Sequence, residues 1–120
     1  MKSVALAAFL VMIGFSSAPL VQDEDSVPAR PINLSAKSEF QGAVAVARLK
    51  WQDESDNELG FEILRSDNAD DYTVVGFVGS NTEHHEDKVG KYVNGAFVYK
   101  VRAFNEHGKS EESNAASVWF

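Results

Sequence analysis

Apolar and polar residues alternate with a period of two along most of the chain from Pro31 onward, the spacing of strands with one face turned to a core. Between Val44 and Trp51, Ala45, Ala47, Leu49 and Trp51 fall on one face and Val46, Arg48 and Lys50 on the other. Leu59 to Arg65 repeats the device, with Phe61 and Ile63 opposed to Glu62 and with Leu64 as an outward-facing exception. Tyr72 to Val78 is β-branched and aromatic, bounded by Asp70 and Asp71 on one side and by Gly79, Ser80 and Asn81 on the other, all turn formers. Thr82 to Asp87 is a short polar strand, and Ala96 to Phe104 alternates cleanly, placing Phe97, Tyr99, Val101 and Ala103 together. With Ile32 to Ala36 in front and Ser113 to Trp119 behind, the pattern predicts seven short strands with turns at intervals of about 8 to 15 residues, an all-β sandwich.

The first residues follow a different rule. Lys2 gives a positive start, Val4 to Phe15 is an uncharged apolar run, and Ser16, Ser17 and Ala18 are small residues of the kind a signal peptidase accepts. As a helix that run would span roughly 18 Å, short of a ~30 Å hydrocarbon core. Residues 1–18 are therefore expected to be a signal peptide, without a permanent membrane span, and the product to be secreted, periplasmic or at the cell surface. An uncleaved anchor and a buried helix are the alternatives. Residues 19–30, with Pro19, Asp23, Glu24, Asp25 and Pro28, have no apolar period and are expected to form a polar linker. Residues 31–120 remain to build one domain.

Composition narrows the chemistry. Eleven Lys and Arg against eighteen Asp and Glu give a net charge of −7, unsuited to a nucleic-acid partner, which needs a basic face to displace counterions. The chain has no cysteine, which removes thiol nucleophiles, thiolate metal sites and disulfides, so the fold rests on core burial alone.

Two stretches carry a family resemblance. The run from Trp51 through Gln52, Asp53, Glu54, Ser55, Asp56, Asn57, Glu58, Leu59, Gly60, Phe61, Glu62, Ile63, Leu64 and Arg65 to Ser66 resembles the second and third strands of a fibronectin type III domain of the bacterial extracellular kind. Asn81 and Thr82, Asp87, the run Phe97 to Asn105, Gly108, Ser110, Ser113 and Asn114 resemble its fifth to seventh strands. The resemblance covers about Pro31 to Val118 and implies a seven-stranded immunoglobulin-like sandwich used for protein interaction, adhesion or spacing rather than for catalysis. In that frame Trp51 sits between the sheets against Leu34, Ile63 and Val101, Gly60 permits a sharp turn into the third strand, and Asn57 holds that turn. The family usually carries a tyrosine where this chain has Phe97, which implies a missing pin and a looser corner from Lys88 to Ala96.

Candidate sites are few. The run His84, His85, Glu86 and Asp87 offers ligand types for a metal, yet neighbours on a strand point to opposite faces, and the resemblance implies that His85 fills an aromatic core position. No nucleophile elbow, catalytic His pairing or phosphate loop is present in the sequence, so a catalytic site, cofactor or metal is not expected. The distinctive cluster is acidic. Asp53, Glu54, Asp56 and Glu58 lie between the second and third strands, and Glu106, Glu111 and Glu112 between the sixth and seventh, two loops that the family topology brings to one end. They are candidate partner-binding loops, the alternatives being a solvated rim or a cation bridged between them. Exposed aromatics, with Tyr72, Tyr92, Phe104 and Trp119 as candidates, suggest carbohydrate or a matrix polymer as the other partner class. The partner is thus an unidentified protein or polysaccharide, and the chain is expected to be a monomer.

Overall fold

The computed structural model describes residues 26–68 and 70–120. The expected signal peptide and most of the expected linker lie outside the described residues. Eight strands and no helix are found among them: β1 Ile32–Gln41, β2 Val44–Gln52, β3 Gly60–Ser66, β4 Thr73–Gly79, β5 His84–Lys91, β6 Ala96–Asn105, β7 Gly108–Lys109 and β8 Ala116–Trp119. One sheet has the order β1-β2-β5, the other β4-β3-β6, with β7 and β8 pairing successive parts of the far edge of β6. All observed pairings are antiparallel.

The core lies between the two sheets and is built from the alternating positions. Leu34, Ala47, Leu49 and Trp51 from one sheet meet Phe61, Ile63, Tyr99, Val101 and Ala103 from the other, all buried. Trp51 is 4% exposed and its ring stands 5.6 Å from that of Phe61, filling a gap of about 10 Å between sheets. Its indole N–H finds no acceptor among the described residues, a local cost accepted for the volume of the ring.

Three expectations are corrected, and a fourth, Leu64, is met with an unforeseen degree of burial. The last strand, expected from Ser113, begins only at Ala116, because residues 110–115 run beside β6 without joining its ladder, and the two-residue β7 before them is unexpected. The Ser110 hydroxyl accepts the Ala103 amide and the Ser113 hydroxyl the Val101 amide, each at 2.9 Å, while the two serine amides donate to the carbonyls of the same residues. Leu64 does face outward but is 3% exposed, covered between its cross-strand neighbours Val74 and Lys100. Gly60 is required for close approach rather than for a turn, since a Cβ there would lie 2.3 Å from the Val78 carbonyl oxygen. The corner before β6 is not loose. Gly95 and Phe120 exchange backbone hydrogen bonds at 2.8 and 2.9 Å, Tyr92 donates to the Ala43 carbonyl, and Phe120 packs on Phe97 at 5.9 Å and Phe40 at 5.6 Å.

The two long sides of the sandwich are closed differently. On one, β1 breaks register between Ile32 and Ser35, and the Asn114 side chain both accepts from and donates to the Leu34 backbone, stitching β1 to the segment before β8. On the other, Asp87 of β5 reaches across, accepting hydrogen bonds from the Tyr99 hydroxyl at 2.6 Å and the Arg65 guanidinium at 2.8 Å. Burial, then that carboxylate, pushes the Tyr99 phenol far up, so it stays a proton donor.

Candidate functional site

The loop from Asp53 to Leu59 is shaped by its own side chains. Asp53 Oδ1 accepts the Ser55 amide at 2.9 Å, and the Ser55 hydroxyl lies between Asp53 Oδ1 at 3.0 Å and Glu58 Oε1 at 2.8 Å. Glu58 is buried, and its Oε2 accepts the amide of Asn81, a residue held at φ 61° in the β4–β5 turn. The Asp53 amide in turn donates to Glu83 Oε2 at 2.8 Å. Burial and the Glu58 carboxylate raise the Asp53 pKa. Burial works against Glu58 as well, but the Asn81 amide and Ser55 hydroxyl outweigh it and hold Glu58 below the usual carboxylate range, so the charge of the pair resides there.

The second loop is tied to the first. Asn105 at the end of β6 donates to the carbonyls of Asn57 at 3.2 Å and Ser26 at 2.9 Å, Asn57 donates to the same Ser26 carbonyl at 3.0 Å, and Leu59 donates to Phe104 at 2.8 Å. Asn105 also accepts the His107 amide, which closes the β6–β7 turn. The segment around Ser26, the 53–59 loop and the 105–108 turn thus form one bonded end of the sandwich.

Not all seven candidate carboxylates stand at that end. Glu54, Asp56 and Glu106 are exposed there, Asp53 is half-buried, and Glu58 is turned inward. Glu111 and Glu112 lie farther along, because the chain reverses at 106–107 and runs back beside β6. Glu111 pairs with Arg30, and Glu112 lies 3.1 Å from Lys100 and 3.9 Å from Arg102. The tight hairpin, which no periodicity marks, is what separates these two from the others.

The remaining candidates scatter. His84 faces outward in register with Lys50, whereas His85 faces inward opposite Leu49 with its ring against Gly76. Among the described residues no three His, Asp or Glu side chains gather as metal ligands. Tyr72 lies under the Lys100 ammonium at 4.6 Å, and Phe104 meets Phe77 edge-on at 6.2 Å. Tyr92 and Trp119 are 86% and 72% exposed. One group escapes sequence reasoning altogether: Lys37, Lys50, Lys88 and Lys91 share the outer face of the β1-β2-β5 sheet, and only strand register brings them together.

No family model matches the chain, and no curated protein matches it. Solved structures do. The Fn3-like protein from Clostridium thermocellum superposes with a TM-score of 0.60 at 23% identity over 78% of this chain and 93% of its own. The FN1–FN3 domains of chicken CNTN1 give a TM-score of 0.63 at 16% identity over 78% of this chain, and domains A168–A170 of titin 0.59 at 17% over 75%. This chain spans 32% and 30% of those two chains, respectively. The fold is fibronectin type III-like.

Proposed function

We propose that this chain is an exported, non-catalytic interaction module that meets a basic protein partner at its acidic loop end. The observation that carries the reading is the bonded union of the 53–59 loop with the 105–108 turn, which holds Glu54, Asp56 and Glu106 outward on a rigid frame. Binding residues on sandwich scaffolds concentrate on such loops, and a fixed loop loses little entropy on binding. Export rests on the apolar run Val4 to Phe15 followed by Ser16, Ser17 and Ala18. The same end tolerates its like charges because water and salt screen exposed carboxylates beyond ~8 Å.

The test is a backbone amide NMR titration of the protein with an oligolysine peptide. Shifts confined to residues 53–59 and 105–108, abolished by the combined Glu54→Gln, Asp56→Asn and Glu106→Gln variant, are the expected result. Equal shifts in that variant, or shifts centred on another surface, would overturn the reading.

A further inference from the structure

Four lysines are distributed in a way that an acidic chain does not produce by default. The register of the three-stranded sheet lines up its outer face in rows: Ser35, Lys50 and His84; then Lys37, Arg48 and Glu86; then Glu39, Val46 and Lys88; and finally Gln41, Val44 and Lys91. Arg48 is matched, lying 2.8 Å from Glu39 and 2.9 Å from Glu86. Lys37, Lys50, Lys88 and Lys91 have no carboxylate partner among the described residues. Every described cation away from this face, namely Arg30, Arg65, Lys100, Arg102 and Lys109, is ion-paired. With eighteen acidic residues against eleven basic ones, carboxylates are not scarce. The two on the outward rows, Glu39 and Glu86, are both taken up by Arg48, so the four lysines keep a positive strip on a negative molecule.

The character of the strip selects what it can hold. Its outward positions carry no Phe, Tyr or Trp and only the His84 imidazole at one end, so it offers no row of stacking platforms for nucleic-acid bases or for the faces of neutral sugars. None of the exposed large apolar side chains belongs to those positions, so nothing there inserts into a bilayer. Lysine presents a hydrated point charge on a flexible stem, without the fixed fork that arginine offers to one phosphate, and this suits charges repeated along a polymer. A broad anionic surface would be repelled by the net −7 of the whole chain, whereas one thin chain can follow the strip and keep clear of the acidic loops. The strip runs with β5 from His84 to Lys91, roughly 20 Å at ~3.3 Å per residue. A shallow groove of about 650 Å³, lined in part by Lys37, Arg48, Lys50, His84, Glu83 and Glu86, gives a bed to the half of the strip near Lys37 and Lys50, while Lys88 and Lys91 stand beyond it.

We propose that the outer face of the β1-β2-β5 sheet binds a single chain of an acidic polysaccharide, whose carboxylates meet Lys37, Lys50, Lys88 and Lys91. This site is separate from the acidic loop end, opposite in charge, and stands or falls independently of it.

The experiment is affinity electrophoresis and calorimetry of the full chain with polygalacturonate. Binding is expected to weaken about tenfold or more between ~20 and ~200 mM NaCl, because exposed charges are screened. The fourfold Lys37→Gln, Lys50→Gln, Lys88→Gln and Lys91→Gln variant should lose at least about tenfold in affinity with an unchanged melting temperature, and the fourfold Lys→Arg variant should retain binding. The loop variant used above should bind polygalacturonate at least as well as the wild type. No binding at low salt, equal binding by the fourfold Gln variant, equal binding of neutral galactan, or preference for oligothymidylate or anionic phosphatidylglycerol vesicles would each overturn the proposal.

Discussion

A Cβ on residue 60 would stand 2.3 Å from the Val78 carbonyl oxygen and 3.1 Å from the Phe104 ring. The oxygen belongs to the paired strand β4 and cannot withdraw without breaking the β3–β4 ladder. Gly60→Ala is therefore expected to destabilise the domain by about 2–4 kcal/mol, read as a lowered urea midpoint with an unchanged slope. A midpoint equal to that of the wild type would show that β3 and β4 separate easily. A sequence shows that a glycine is present but not whether it serves a turn or a contact. Trp51, Phe61, Ile63, Tyr99 and Val101 were legible as core because alternation alone assigns them a face. Glu58 was not, because its burial depends on Ser55 and on an Asn81 amide that lies 23 positions away. Arg65 was equally hidden, a cation on the inward face of β3 that is acceptable only because Asp87 meets it from the other sheet.

Strand existence was readable at the level of elements, and strand ends were not. β1 continues to Gln41 through Ser38, Glu39 and Phe40, where polar composition hides a ladder that backbone pairing with β2 maintains. Serine side chains standing in for ladder groups delay the last expected strand to Ala116, a substitution with no signature in periodicity. The corner before β6 shows the same economy: where the family resemblance implied a missing tyrosine hydroxyl, Phe120 supplies two backbone hydrogen bonds with Gly95 and an aromatic contact on Phe97. Phe120→Ala keeps the backbone pair and removes the ring from Phe40 and Phe97, so a loss of about 1–3 kcal/mol is expected by thermal or urea unfolding. An unchanged melt would mean that the backbone pair alone holds the corner.

The whole molecule sums these local choices into a dependence on pH. Burial lowers the His85 pKa, so the folded state disfavours its protonation while the unfolded chain takes up a proton below about 6.5. Stability from this source is full above that value and declines as the pH falls below it. Burial acts against Glu62 too, but Arg102 and Lys109 outweigh it and hold its pKa down, as Asn81 and Ser55 do for Glu58. Those contributions persist above the unfolded carboxylate value of about 4.3 and vanish as the pH drops through the lower folded values. The melting temperature should thus be flat between about pH 7 and 9, fall in two stages toward acid, and fall again above about pH 10, where the unfolded chain loses the Tyr99 proton that the fold retains. His85→Phe, which keeps a ring against Gly76, should erase the upper acid stage and leave the lower, while a profile unchanged by that variant would place the His85 ring in solvent. The acidic loop end was legible in outline at this scale, since both loops could be assigned to one end. The return of Glu111 and Glu112 along β6 was not, nor was the lysine strip, because both depend on register between strands distant in sequence.

The unequal surroundings of the two tryptophans give the fold its own optical readout. Trp51 is sealed between the sheets while Trp119 stands 72% exposed on β8. Native emission is consequently the sum of a blue, shielded component and a red one open to solvent. A collisional quencher such as acrylamide extinguishes the second first and leaves the first as a reporter of whether the sheets are closed. Loss of the sandwich shows as the shielded component turning red, with the Trp119 signal nearly constant. Local fraying of β8 leaves Trp51 dark to the quencher, so one spectrum separates the opening of an edge from the loss of the core.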